Sequence, residues 1–263
     1  MENEAILALY DEEQRINIEY PGVRKVRRPY VIRYVSEEGG PHFILYSRLA
    51  GADVEAVIAE EQAYFGPLGE VEWKVYGHDR PADLRERLVA RDFEVEEPEA
   101  IMVLNLRETP PGLAAEPGSS ARTDGVAVQR LENVSQLEDV RRIEEIVWQD
   151  DFSWLTERLG TDLATPGYLS VYAAYVDGQP ACAGWIYFHA NGKFADLWGG
   201  STLLEHRGRG LYTAVLAARV HEAAARGYQF VTIDASPMSR PIVARHGFRL
   251  LTTAWACKWG KDV

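Results

Sequence analysis

The stretch His206–Val215, HRGRGLYTAV, decides how the second half of this chain is interpreted. Two arginines and two glycines come directly before a helix-forming run, in a chain whose formal net charge is -12. Glycine lets a turn point its backbone N–H groups at a ligand, and the start of a helix carries partial positive charge. The stretch therefore predicts an anion site. An ordinary exposed loop is the alternative, since Gly-x-Gly alone is a weak signal.

The segments around this stretch alternate between strand and helix patterns. The run after the glycines predicts one helix up to Gly227, which suits a helix C-terminus. Upstream, short turns separate three runs rich in aromatic and β-branched residues, which predicts an antiparallel meander. The quoted segments are VAVQRL (126–131), SQLEDVRRIEEIVW (135–148), YLSVYAAYV (168–176), ACAGWIYFHA (181–190), FADLWGGSTLL (194–204), FVTIDA (230–235) and SRPIVARHGF (239–248).

A linker divides the chain between Arg107 and Gly125. Its sequence, RETPPGLAAEPGSSARTDG, is crowded with proline, glycine and serine and has no apolar periodicity. We therefore predict a first domain over 1–107, a linker over 108–125 and a second domain over 126–263.

Residues 126–259 resemble the GNAT superfamily of acyl-CoA-dependent N-acetyltransferases. The phosphate-loop pattern of that family is Arg/Gln-x-x-Gly-x-Gly/Ala, and Arg207, Gly210 and Tyr212 stand at its marked positions, so that Tyr212 departs from it. The resemblance implies an α/β (α+β) fold with a central mixed, mostly antiparallel sheet flanked by helices. It also implies acetyl-CoA as co-substrate, bound by Thr202, Leu203, Leu204, Arg207, Gly208, Arg209, Gly210, Leu211, Tyr212, Thr213 and Ser236.

The first half looks like a truncated relative of the second. EWKVYGHDRPADLRERLVARDF (72–93) and YQFVTIDASPMSRPIVARHGF (228–248) both read as a strand, a polar turn and a short helix. The first segment ends in Ala-Arg-Asp-Phe and the second in Ala-Arg-His-Gly-Phe. In place of the phosphate loop the first half has AGADVEA (50–56), where Asp53 and Glu55 would repel a diphosphate. We predict a degenerate GNAT-like domain without a cofactor site. Chance similarity of short segments is the alternative.

Acyl transfer to an amine needs a base for the ammonium and an acid for the departing thiolate. Asp196 is the predicted base, with a solvated carboxylate as the alternative interpretation. Valine occupies position 243, where many family members have a tyrosine. The predicted substitutes are therefore Tyr212, Ser236 or Ser239, with proton supply from water as the alternative. His206 and His246 are expected to face solvent.

Aromatic and acidic residues predict the amine pocket. WQDDFSW (148–154) suits a cationic amine through charge and cation–π attraction, and with Trp198 it supplies the predicted contacts Trp148, Asp151, Trp154 and Trp198. The alternative is that the aromatics are core residues and the aspartates cap a helix.

The composition limits the binding partners and the cellular compartment that we expect for this chain. A net charge of -12 disfavours nucleic acid and anionic membranes, and two cysteines in apolar runs indicate a reducing compartment. With neither a signal peptide nor a membrane-spanning run, we predict a cytoplasmic monomer or homodimer that needs no metal.

The predicted function is transfer of an acetyl group from acetyl-CoA to a primary amine of a small molecule or peptide, by direct attack in a ternary complex. One alternative is a non-catalytic acyl-CoA-binding or interaction module. Another is a tandem transferase that acts on an aminated sugar-thiol and resembles mycothiol synthase.

Overall fold

The computed structural model describes residues 2–37, 40–114 and 125–260. In chain order its elements are α1 (Asn3–Tyr10) continuing into a π-helix (Asp11–Ile16), β1 (Val23–Arg27), β2 (Val31–Ser36), β3 (His42–Ser47), α2 (Val54–Phe65), β4 (Val71–Tyr76), α3 (Leu84–Val89), β5 (Glu94–Val95), β6 (Glu99–Asn105), α4 (Pro111–Ala114), β7 (Val126–Leu131), α5 (Leu137–Trp148), α6 (Ser153–Ala164), β8 (Leu169–Val176), β9 (Gln179–Phe188), β10 (Phe194–Thr202), α7 (Leu211–Ala225), β11 (Phe230–Ala235), α8 (Arg240–Arg245) and β12 (Arg249–Trp259). Short 3-10 helices cover Leu106–Glu108, Val134–Gln136 and Leu204–His206. Within these ranges, no helix has both the length and the apolar character needed to cross a membrane.

The chain divides into two compact units. The first contains Met1–Met102, Ala235–Pro241 and Leu250–Val263, and the second contains Val103–Asp234 and Ile242–Arg249. The predicted second domain covered all of 126–263, whereas β12 pairs antiparallel with β4 of the first unit. Residues 115–124 of the predicted linker lie outside the described residues.

The first unit is built on strands in the order β1-β2-β3-β4-β12, with β5 beside β12. All of these pairs are antiparallel except β3 with β4, which α2 connects. Large apolar side chains fill the core beneath α2, among them Trp73, Phe65 and Ile44.

The second unit has one more antiparallel strand before its parallel pair, in the order β7-β8-β9-β10-β11. Its pairs are antiparallel except β10 with β11, which α7 connects. One sheet face packs on α5 and α6 through side chains that include Ala183, Trp185 and Tyr187. The other face packs on α7 through Ala174 and Cys182, among others. The predicted mixed, mostly antiparallel sheet with flanking helices is confirmed.

Both parallel pairs separate before their strands end. The β3–β4 register stops at Ile44 opposite Trp73, although β3 continues to Ser47 and β4 to Tyr76. In the second unit the β10–β11 register stops at Leu197 opposite Ile233. A strand that has left its partner exposes backbone groups that need other partners.

In the first unit the Arg15 side chain lies in this gap and bonds one backbone carbonyl group of β3. The Arg15 side chain is buried, its Nε donates to Leu45 O of β3 at 3.0 Å, and its guanidinium lies 3.8 Å from the centre of the Tyr76 ring of β4. Asp79 accepts two bonds from Arg15 Nη2, at 2.7 and 2.9 Å. Arg15 therefore fills part of the gap between β3 and β4, beside a cavity of about 180 Å³ that Arg15, Ser47 and Asp79 help to line. That this half holds no cofactor stays a prediction.

Candidate functional site

A β-bulge marks the point where β10 has left β11. Gly199 lies opposite Gly184 of β9 and Ser201 lies opposite Ala183, so Gly200 is an extra residue on β10. Gly199 and Gly200 have φ of 66° and 101°, values that favour glycine. A Cβ on Gly200 would lie 2.8 Å from the Tyr212 ring, so the bulge depends on glycine.

The bulge also decides which side chains share a face. The register places Asp196 opposite Tyr187 and Trp198 opposite Trp185, on the face covered by α5 and α6. Strict alternation would put Ser201 on the other face, but the extra residue returns it to this one. Asp196, Trp198 and Ser201 therefore follow one another along a single face of the splayed strand.

Asp196, the predicted base, has neighbours on both oxygens. His189 Nε2 lies 2.9 Å from Oδ2, and the Thr232 hydroxyl donates to Oδ1. The Asp196 side chain is 18% exposed, so a substrate can still reach it. A carboxylate has about four lone-pair positions, which leaves capacity for a further donor.

Glu144 is a second carboxyl group at this face, and we did not predict it from the sequence. It projects from α5, is 2% exposed, and its Oε2 accepts bonds from Ser201 Oγ at 2.7 Å and Trp148 Nε1 at 2.9 Å. Burial raises its pKa, while the bonds from Ser201 and Trp148 and the charge of Arg219 oppose this effect. Its only sequence signal is a charged residue among the helix-spaced apolar residues of α5.

Arg219 lies beneath the bulge on the α7 side. It is fully buried, and its Nη1 donates to Trp198 O at 3.0 Å and Trp185 O at 3.2 Å. A Cβ on Gly184 would lie 2.8 Å from Nη1, so this glycine makes room for the guanidinium. Arg219 therefore fixes the carbonyl groups on both strands next to the bulge.

The loop after β10 leads into the start of α7, as the quoted stretch predicted. Gly208 and Gly210 have φ of 75° and 78°, and nothing lies within 4 Å of where a Cβ would be. The first intrahelical bond runs from Ala214 N to Gly210 O. In the described part of the chain, the backbone N–H groups of 208–213 have no hydrogen-bond acceptor.

Three side chains in and after this loop already make hydrogen-bond contacts within the protein. Arg207 Nε donates to Thr202 O at 3.1 Å, and Arg209 Nη1 lies 3.1 Å from His206 Nδ1. Thr213 Oγ1 lies 3.2 Å from Nε2 of His246. The expectation that His246 faces solvent is wrong, since it is partly buried, and burial together with Arg245 lowers its pKa.

The backbone at Thr202–Leu204 is less available than we expected. Leu203 N donates to Ala181 O at 3.0 Å, and Thr202 O accepts the Arg207 bond. The Leu203 amide is therefore not free, because β9 continues to pair beyond the bulge. Leu204 is 74% exposed in a 3-10 helix.

Tyr212 lies against the bulge rather than in the loop. Its ring packs on Gly200, and its buried hydroxyl has no hydrogen-bond partner among the described residues. Burial raises its pKa. Tyr212 departs from the family's small residue because it fills the space beneath the bulge.

The two predicted serines cap a turn. Ser239 N donates to Ser236 Oγ at 3.2 Å, and the two hydroxyl oxygens are 3.2 Å apart. Both serines belong to the Ala235–Pro241 segment of the first unit, and their roles at the site stay predictions. Val243, at the position of the family's tyrosine, is fully buried.

The predicted amine contacts fall into separate local groups. Trp148 is 52% exposed and bonded to Glu144, and Trp198 is 53% exposed and packs edge-on against Tyr187. Trp154 stacks on Phe152 with centroids 5.9 Å apart. Asp151 accepts bonds from Ser153 N and Oγ at the start of α6, as its capping alternative requires, and these bonds lower its pKa.

Comparison with solved structures identifies the fold. A GCN5-related N-acetyltransferase from Kribbella flavida has a TM-score of 0.66 and 14% identity, over 98% of this chain and 95% of that one. A functionally unknown conserved protein from Staphylococcus epidermidis has a TM-score of 0.64 and 10% identity, over 94% and 99%. A tandem GNAT protein from the clavulanic acid biosynthesis pathway has a TM-score of 0.62 and 15% identity, over 94% and 87%.

No family model matches the chain, and neither does any curated protein. The similarity lies in the fold and extends over nearly the whole chain. The chain thus has the fold of the GCN5-related N-acetyltransferases, with a GNAT-like second half and a truncated GNAT-like first half. The fold expected from the resemblance is confirmed.

Proposed function

We propose that this chain, which has the GNAT fold, transfers an acetyl group from acetyl-CoA to a primary amine of a small molecule or peptide. One observation carries the proposal: backbone N–H groups without acceptors lead from a glycine loop into the 15-residue helix α7, next to a splayed strand. Such a helix start attracts a diphosphate through its N–H groups and its dipole.

The residues present fit the CoA diphosphate. The open space beside Gly208 and Gly210 lets a phosphate approach the backbone closely, and Arg207 and Arg209 supply positive charge at an otherwise acidic surface. The edge of β10 beyond Leu197 would hold the pantetheine arm and thioester. When bound, acetyl-CoA supplies the activated acyl carbon.

The side chains on the α5 face of β10 would handle the acceptor amine. An alkyl ammonium has a pKa of about 10.4 and must lose a proton before it attacks. Asp196 would accept that proton on its partly exposed carboxylate, while His189 and Thr232 hold the carboxylate in place. Trp198 and Trp148 would contact the cation through their exposed rings.

The transfer balances without further reactants. The nitrogen lone pair forms the C–N bond, the C–S bond breaks, and the sulfur keeps the electron pair. The ammonium loses two protons in all, one to solvent and one to the departing sulfur. The products are an amide, free CoA and one proton.

A non-catalytic acyl-CoA-binding module is the second candidate. The observation that favours it is Val243, a fully buried side chain that cannot donate a proton where the family's tyrosine would stand. Such a module would bind acetyl-CoA without releasing CoA.

Thiol detection of CoA release across a panel of alkylamines, arylalkylamines, polyamines and peptides tests the proposal. We expect release that depends on one class of amine. Binding of acetyl-CoA without release on any amine would replace the transferase with the binding module.

A further inference from the structure

We propose that Ser201 and Glu144 form the proton relay of the acyl-transfer site, which takes a proton from the attacking nitrogen and delivers it to the departing sulfur. The inference rests on the proposed function. It assigns a role to a buried carboxyl group that the phosphate loop and Asp196 leave unexplained.

The hydrogen bonds around Ser201 leave one position open. Ser201 Oγ donates to Glu144 Oε2 at 2.7 Å, and it lies 3.1 Å from Trp148 Nε1, which is itself a donor. A hydroxyl has one proton and two lone pairs. Among the described residues, one lone pair of Ser201, which is 6% exposed, therefore has no donor and would accept an N–H group of the substrate.

Ser201 stands where the reacting groups would meet. It follows the bulge residue Gly200 directly, and the bulge turns its side chain to the face that carries Asp196 and Trp198. Here β10 has already separated from β11, because the last pair between these two strands is Leu197 with Ile233. The hydroxyl thus borders the proposed thioester seat on the acceptor side.

Glu144 is suited to hold a proton for a short time. Its Oε1 is buried without a partner in the part of the chain that the structure describes, and water does not reach the carboxyl group. Arg219 of α7 acts on its charge from beneath the bulge, and the Glu144 charge in turn helps to raise the pKa of Cys182 of β9. Burial raises its pKa above the usual glutamate value, which favours the protonated form that the relay needs for a short time.

The relay accounts for the second proton of the ammonium. The first leaves through Asp196 to solvent. The second passes from nitrogen to Ser201 Oγ as the hydroxyl's own proton moves to Glu144 Oε2, and the reverse movement protonates the sulfur as the C–S bond breaks. Glu144 begins and ends as a carboxylate, and the relay supplies the acid that Val243 does not.

Two isosteric or near-isosteric variants test the relay. We expect Glu144→Gln and Ser201→Ala each to lower kcat by about 10²- to 10⁴-fold with an unchanged acetyl-CoA Kd, because the proton transfer is lost. The double variant should be no slower than the slower single one, since both act on one path. Glu138→Gln is the matched control, because Glu138 lies on the same helix and is 50% exposed.

Two further readouts separate a relay from a structural role. With the acetyl ester of 4-nitrothiophenol as donor, the thiolate leaves without a proton, so the defect of Glu144→Gln should shrink. In the protein alone, infrared difference spectra should show a carboxyl band that titrates above the usual glutamate range of about 4.3 and vanishes in Glu144→Gln.

The outcomes are distinct. Unchanged kcat in both variants, or an equal defect with both donors, would overturn the relay while leaving the transferase in place. A wild-type protein that is silent with every amine would remove the transferase and the relay together.

Discussion

The two carboxyl groups on the α5 face of β10 differ in solvent exposure. Asp196 is 18% exposed and borders solvent, whereas Glu144 is 2% exposed and reaches the same face only through Ser201. Exposure decides which carboxylate can touch an acceptor directly, and burial raises the pKa of Glu144. Loss of either acid is therefore expected to lower turnover without weakening acetyl-CoA binding, and the donor comparison and the infrared titration are the assays that single out Glu144.

Asp196→Asn removes the exposed proton acceptor and keeps the side-chain shape. We expect turnover to fall by about 10²- to 10⁴-fold while acetyl-CoA binding is spared, because the loop before α7 is untouched. Rates of CoA release and binding calorimetry on the same preparation measure both. Glu157→Gln on α6, an exposed carboxylate, is the control. Wild-type turnover in Asp196→Asn would remove Asp196 as the base.

The buried Glu144 makes stability depend on pH. Its pKa is raised in the folded protein, so its protonated form is favoured there, and its contribution is fully present below the unfolded pKa of about 4.3. That contribution is lost as pH rises through the folded pKa. We expect the free energy of unfolding of wild type, relative to Glu144→Gln, to fall as pH rises from about 4 to neutrality in urea titrations. A pH-independent difference would mean that the pKa is not raised.

At the scale of elements, the two units share a parallel strand pair that separates, but they differ in what lies in the gap. Each unit has a parallel pair that separates before its strands end, joined by a helix. In the first unit Arg15 bonds β3, stacks on β4 and pairs with Asp79. In the second unit the corresponding gap lies between β10 and β11, next to the bulge on β10 and the loop before α7. Arg15 thus holds the first gap together, whereas the second is the gap that we propose receives acetyl-CoA.

Arg15→Met should destabilise the first unit strongly. Arg15 is 1% exposed and the Asp79 side chain 5%, so removing one partner leaves a buried charge, at a cost of about 3–5 kcal/mol. Urea unfolding measures the change, and the double variant Arg15→Met/Asp79→Asn should recover part of the loss. A single variant within about 1 kcal/mol of wild type would show that Arg15 does not hold the gap together.

Local patterns predicted most elements, and the missing parts have physical causes. Alternation, turns and glycines predicted the meander, the loop and α7, because those signals act within a few residues. The bulge reversed the alternation after Gly200, so Ser201 went unnoticed. Glu144 and Arg219 went unnoticed because burial of a charged residue depends on neighbours far away in sequence.

For the whole molecule, the last strand of the chain, β12, pairs with β4 of the first unit and not with the strand that precedes it in sequence. The duplicated order of strands and helices was visible in the sequence as two related segments ending in Phe93 and Phe248. The pairing of β12 with β4 was not, because an apolar strand carries no mark of its partner. The duplicated fold and the single glycine loop together predict one cofactor site in each chain.

Calorimetric titration of acetyl-CoA into the intact chain tests the central claim, that the N–H groups before α7 hold a diphosphate. We predict one saturable site per chain, abolished in Gly210→Glu, which places a carboxylate in the loop, and kept in Glu157→Gln. Circular dichroism should show both variants folded. Absence of binding for every CoA species in the wild-type chain, or full binding in a folded Gly210→Glu, would contradict the account.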